Sequence, residues 1–169
     1  MVQTRKFVAI LTSSPALSSI IAMVLDCEEF LNVQNFEHMS ELQCHMRIAP
    51  VDLIICDYRI NNRTAPQLKI ALQQDNPHRQ FETIMLTDYV SGDIKQACKF
   101  AAIDEVIIKP MSPLFLRDRV LARLNKTGDQ KSQNRSVQTT LYADNSDKFH
   151  QNSFPKADNV INLFSGTTP

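Results

Sequence analysis

Two patterns in the 169-residue sequence predict an α/β protein built on a five-stranded, doubly wound parallel sheet. Short apolar runs rich in β-branched residues recur near residues 7–11, 51–56, 83–86 and 106–108, with a weaker one near 31–36. Amphipathic segments with helical spacing fill the intervals and follow the last run. Strands that alternate with helices close into a parallel sheet through right-handed crossovers. Runs that are apolar throughout, rather than at every second residue, suit strands covered on both faces.

The first strand is Phe7-Val8-Ala9-Ile10-Leu11, cut off by Thr12-Ser13-Ser14-Pro15. Ser14 can cap a helix and Pro15 fits its first turn, with Leu17, Ile20, Ile21, Val24 and Leu25 at helical spacing behind them. The second strand, near Leu31 to Phe36, leads into a helix over 40–48 that carries Leu42 and Met46, with Glu41 placed for a capping box. Val51-Asp52-Leu53-Ile54-Ile55-Cys56 is the third strand, and a helix over 65–72 sets Leu68, Ala71 and Leu72 on one face behind Pro66. Thr83-Ile84-Met85-Leu86 is the fourth strand, after which Ser91-Gly92-Asp93 opens a helix with Ile94, Ala97, Cys98 and Ala101. Val106-Ile107-Ile108 is the fifth, and Ser112-Pro113 opens the last helix, with Leu114, Leu116, Val120, Leu121 and Leu124.

Residues 1–126 therefore read as one folded domain, and 43% hydrophobic residues suffice for one sizeable core. From Thr127 the composition turns to Asn, Gln, Ser, Thr, Asp and Lys, so 127–169 is expected to be a polar, largely disordered tail. Its segment Asn159-Val160-Ile161-Asn162-Leu163-Phe164 is suited to docking on a partner as a short helix or strand. Eighteen Lys plus Arg balance eighteen Asp plus Glu, so no whole-chain field favours nucleic acid or an anionic membrane. No apolar run approaches the roughly 18 residues of a membrane span. Arg5 and Lys6 before the first strand imitate a signal peptide, but Thr12 to Pro15 end the apolar run at five residues, which favours a cytoplasmic protein. Cys27, Cys44, Cys56 and Cys98 form no CxxC pair, which argues against a zinc cage or disulfide framework; three lie in apolar segments and are expected to be reduced core thiols.

In a doubly wound sheet the functional crevice lies beyond the carboxyl ends of the strands. Three polar residues stand there: Asp57 after the third strand, Thr87 after the fourth and Lys109 after the fifth. A carboxylate can attack a phosphoryl group, a hydroxyl can bond its oxygens and an ammonium can neutralise its charge. Polar residues also follow buried strands for no functional reason. The combination is more specific, because Asp52-Leu53-Ile54-Ile55-Cys56-Asp57-Tyr58, Ile84-Met85-Leu86-Thr87 and Val106-Ile107-Ile108-Lys109-Pro110 resemble the phosphoacceptor, switch-hydroxyl and lysine motifs of response-regulator receiver domains. The resemblance covers about residues 5–125. It implies a flavodoxin-like (βα)5 fold with Asp57 as phosphoacceptor, Thr87 binding the acyl phosphate, and Lys109 pairing with Asp57 and a phosphate oxygen.

The sequence also departs from that family. Receivers present two acidic residues after the first strand to hold Mg²⁺, whereas here Thr12-Ser13-Ser14 follow Leu11. Asp57, a backbone carbonyl near Arg59 and neutral hydroxyls are left for the metal, so weak Mg²⁺ binding and a slow or silent site are expected. Arg59 is placed either to put a guanidinium where the metal would sit or to point into water. Asp88 adds negative charge at the entrance, and Val106 replaces the aromatic switch residue of many receivers. The expected function is a stand-alone, non-enzymatic receiver in a phosphorelay, with a histidine kinase or phosphotransfer protein and a downstream protein target as partners. The alternative is a phosphorylation-independent pseudo-receiver adaptor. A flavin or nucleotide binder is disfavoured because no Gly-rich loop follows the first strand. Arg117, Asp118, Arg119 and Arg123 on the last helix read as a solvated face, with a homodimer contact, shared with Lys95 and Asp104, as the second reading.

Overall fold

The structure, a computed structural model, describes residues 5–129 and 160–161. In chain order the elements are β1 (Lys6–Leu11), α1 (Pro15–Leu25), β2 (Leu31–Asn35), α2 (Met39–Ile48), β3 (Leu53–Asp57), β4 (Arg59–Ile60), β5 (Arg63–Thr64), α3 (Ala65–Asp75), β6 (Glu82–Thr87), α4 (Gly92–Phe100), β7 (Glu105–Ile108), α5 (Pro113–Asp129) and β8 (Val160–Ile161). The five expected strands pair in parallel in the order β2-β1-β3-β6-β7, so the chain winds one way from β1 to β2 and the other way from β3 onward. The winding reverses between β1 and β3, which is where such sheets open a crevice.

Alternate strand residues feed two cores, which explains the unbroken apolar runs. Ala9, Leu11, Ile54, Cys56, Met85 and Val106 pack against Leu42 and Met46 of α2, Leu68 and Leu72 of α3, and Ile94 and Cys98 of α4. Val8, Ile10, Ile55, Ile84, Leu86 and Ile107 pack against Ile21 and Leu25 of α1 and Leu116, Val120 and Leu124 of α5. Two helix starts follow the anticipated serine capping: Ser14 Oγ accepts from the Leu17 N–H at 3.3 Å, and Ser91 Oγ accepts from the Ile94 N–H at 3.3 Å. The capping box expected at Glu41 does not form, because the N-cap of α2 is His38, which has no capping hydroxyl, and Glu41 accepts from the preceding Glu37 N–H; a capping box forms instead at α3, where Gln67 Oε1 accepts from the Thr64 N–H at 2.9 Å.

Several features differ from the sequence expectation. The β4–β5 hairpin was not anticipated; Asn61, at φ 52°, supplies the left-handed residue its turn uses. Only Cys56 and Cys98 are buried, while Cys27, in the turn after α1, and Cys44, on α2, are exposed. The last helix is not a uniformly solvated charged face. Arg119 and Arg123 turn inward onto Glu105, whose side chain is 1% exposed, and Arg123 also meets Glu82 at 3.4 Å and the Asp104 carbonyl. Asp104 is paired with Lys69, and Arg117 meets Asp118 and Glu28, so five of the six charges considered for a homodimer contact are paired within the domain.

The expectation of a disordered tail falls mostly on residues 130–159 and 162–169, outside the described residues. Thr127–Asp129 continue α5 rather than starting the tail. Val160–Ile161 form a strand, as their apolar pattern allowed, but they pair antiparallel with β7 of the same chain rather than with a partner.

Candidate functional site

Asp57 is the last residue of β3, Thr87 the last of β6, and Lys109 the first residue after β7, so the sheet register brings the three together on one rim. The Lys109 N–H donates to the Thr87 carbonyl at 2.8 Å, and the Tyr58 N–H donates to the Leu86 carbonyl at 2.7 Å, which ties the strand ends side by side. Lys109 precedes a cis peptide bond to Pro110. A cavity of about 140 Å³ opens here, lined by Ser13, Asp57, Tyr58, Arg59, Leu86, Thr87, Asp88, Tyr89 and Lys109.

Asp57 is 4% exposed, and each oxygen of its carboxylate has a partner within the chain. Oδ2 accepts from the Ser13 N–H at 2.8 Å and from the Ser13 hydroxyl at 2.9 Å, while Oδ1 lies 3.3 Å from Lys109 Nζ. A buried carboxylate needs such donors, because an uncompensated charge away from water is costly. The loop after β1 thus places positive dipoles against the negative oxygen.

The remaining residues divide around this centre. The Thr87 hydroxyl is buried and donates to the Tyr89 carbonyl at 2.8 Å, so it serves the β6–α4 loop. Asp88 is exposed and lies 3.6 Å from Lys109 Nζ, so the ammonium is shared between two carboxylates. Thr12 donates its hydroxyl to the Ser14 carbonyl at 3.1 Å and does not line the cavity. Arg59 is exposed on β4, with its guanidinium 6.0 Å from the Tyr58 ring centre. Tyr89 escaped the sequence reading: it is an exposed aromatic at the cavity mouth, and its position two residues after the fourth strand was the only signal for it.

A divalent cation poorly suits this donor set. Mg²⁺ wants several hard oxygen ligands, usually including carboxylates. Among the described residues no cluster of three His, Cys, Asp or Glu side chains is placed to hold a metal, Asp57 is already bonded to Ser13 and Lys109, and the Thr12 hydroxyl is committed to its own loop.

No family model and no curated protein matches the sequence. Solved structures do match. A signal receiver domain of an HD domain-containing protein from Pseudomonas fluorescens Pf-5 aligns with a TM-score of 0.68 at 15% identity, over 79% of this chain and 96% of that one. A CheY-like response regulator receiver domain protein from Methanospirillum hungatei JF-1 aligns with a TM-score of 0.66 at 19% identity, over 75% of this chain and 98% of that one. The chain has the receiver fold. The BeF3-activated DrrB receiver domain is a further match, with a TM-score of 0.61 at 15% identity over 72% of this chain and 98% of that one. Each neighbour is covered almost end to end, so the likeness extends over a whole receiver fold and leaves between about a fifth and somewhat more than a quarter of this chain outside it. Val106, fully buried in the α2–α3–α4 core, stands on the receiver fold's last parallel strand without a ring that could swing.

Proposed function

We propose that this chain is a receiver-type signalling module that acts by binding proteins, with an Asp57 pocket that holds its state without phosphoryl transfer. One observation carries the proposal: Ser13 and Lys109 already satisfy both oxygens of Asp57. Attack on phosphorus needs an Asp57 oxygen turned toward the phosphoryl group and concentrated positive charge for the incoming phosphoryl oxygens. Here Oδ2 is held by two donors of Ser13 and Oδ1 faces the Lys109 ammonium, so the carboxylate must turn off these partners before it can attack. Among the described residues the one ammonium beside it is divided between Asp57 and Asp88. Thr87 is bonded away from the reacting position. The module is non-enzymatic and cytoplasmic in this reading. Its partners are a histidine kinase or phosphotransfer protein, recognised as a binding surface, and a downstream protein target.

A second reading, in which Asp57 accepts phosphate, is favoured by the cavity of about 140 Å³ that still brings Asp57, Thr87 and Lys109 together. That volume is below the roughly 300 Å³ at which sites for drug-sized ligands begin, which disfavours a flavin or nucleotide in the same place. Intact-mass measurement after incubation with acetyl phosphate and Mg²⁺ separates the two. An unmodified wild type supports the adaptor, and restoration of an adduct in Thr12→Asp/Ser13→Asp would show that the missing carboxylates and the Ser13 bonds are what silence the pocket. A phosphoryl adduct on wild-type Asp57 would establish the second reading instead.

A further inference from the structure

The outermost parallel strand, β7, would by itself be a sheet edge with a row of unpaired backbone groups, and proteins rarely leave such an edge open. In this chain the row is met by β8, with Val106 opposite Ile161 and Ile107 opposite Val160. The pairing is antiparallel in an otherwise parallel sheet, and it comes from a segment 30 residues beyond the end of α5. Within the polar sequence that follows Thr127, Val160-Ile161 is a β-branched pair bracketed by Asn159 and Asn162. A pair of that kind suits a short strand, and flanking asparagines suit its ends.

We propose that the outer edge of β7 is a strand-addition site, that the chain's own Val160–Ile161 occupies it in cis, and that a protein partner reading this edge with an extended apolar segment must first displace the tail. Main-chain hydrogen bonds supply the affinity in this mode of recognition, and it needs no preformed groove. Two residues of pairing are weak alone, but tethering makes their association intramolecular and so favours it without new contacts. The same weakness makes the strap removable. The position also has a consequence for the pocket: the paired residues Val106 and Ile107 stand just before Lys109, so occupancy of the edge bears on the strand that carries the pocket ammonium. The strap is independent of whether Asp57 is ever phosphorylated, so its test and that of the pocket fail separately.

Backbone hydrogen exchange of the full chain tests it, comparing the wild type with Val160→Pro/Ile161→Pro, which removes two strand N–H donors and leaves the five parallel strands untouched. Neighbouring residues of a strand point their N–H groups to opposite sides. Of Val106 and Ile107, the amide that faces away from β6 is expected to exchange roughly fivefold to tenfold faster in the variant, the scale of one released backbone hydrogen bond. Amides of Ile84, Met85 and Leu86 serve as the control for intact folding, and a synthetic peptide of residues 156–165 added to the variant at a concentration above the roughly millimolar level that a tether supplies should restore the protection. Equal exchange in wild type and variant would overturn the proposal, as would failure of the peptide to protect the edge. Wild-type protection that rises with protein concentration, together with a dimer in light scattering, would overturn occupancy in cis by showing that a second copy supplies the strand.

Discussion

Asp57 and Ser13 form a unit that neither residue explains alone. The carboxylate is buried because it ends a strand whose neighbours are all apolar, and Ser13 reaches it because the loop after β1 turns at Thr12 and is held there by the Ser14 carbonyl. Asp57→Asn keeps an oxygen for the Ser13 N–H but removes the charge that Lys109 faces, leaving that ammonium to the exposed Asp88. A loss of about 1–2 kcal/mol in chemical denaturation is expected, the scale of one charge-assisted bond. The cysteines give a second residue-scale expectation. Burial raises the Cys56 thiol to about 12 and the Cys98 thiol to about 11, from an ordinary 9.0. The folded state then holds its thiol protons more tightly than the unfolded chain. The associated stability is complete below pH 9 and is lost as pH rises from about 9 toward those values. Melting temperature should therefore fall between pH 9 and 11 more steeply in wild type than in Cys56→Ala. At pH 7.5 a maleimide should label Cys27 and Cys44 in the native protein, and Cys56 and Cys98 only after denaturation.

The β7–α5 pair shows how far a sequence pattern reaches at the scale of elements. Apolar spacing located α5 and all five parallel strands, because those runs record burial directly. Spacing could not say that Arg119 and Arg123 turn inward, since Glu105 becomes their partner only once α5 lies across the start of β7. The Glu105 bond to Arg119 also raises that guanidinium's pKa. Nor could it find the β4–β5 hairpin, which is too short to carry a period. At the site, strand ends gave Asp57, Thr87 and Lys109, but the Ser13 bonds depend on how a loop closes over β3 and left no trace in residue spacing. Glu105→Ala leaves Arg119 to solvent and Arg123 to Glu82 and the Asp104 carbonyl and should cost about 2 kcal/mol, the scale of lost charge-assisted bonds, whereas Glu105→Gln keeps hydrogen-bond acceptance and should cost clearly less; urea denaturation compares them. The end of α4 offers the opposite sign. Ala102 sits at φ 53°, where its N–H bonds the Lys99 carbonyl, and the next residue, Ile103, bonds that of Cys98. This is the left-handed position after a helix that glycine favours, so Ala102→Gly should raise stability by about 0.5–1 kcal/mol.

The whole molecule joins a receiver fold to a pocket whose charges are already answered from within. Among the described residues every large core residue lies between Phe7 and Leu124, and both faces of the sheet are covered by helices, so the rim at Asp57 is held rigidly by the strands beneath it. In the proposed reading such a rim, with its carboxylate already partnered, does not respond to a phosphoryl group, and the module acts through surfaces that bind proteins. The most direct test is a pair of ¹H–¹⁵N spectra of the full chain, before and after addition of beryllofluoride and Mg²⁺, a phosphoryl mimic of the kind carried by the activated DrrB receiver domain. The expected result is that the amides of Ser13, Thr87, Tyr89 and Lys109 do not shift at millimolar Mg²⁺. Saturable shifts at those four amides would show that Asp57 releases Ser13 to take a phosphoryl group, and would contradict the phosphate-independent pocket.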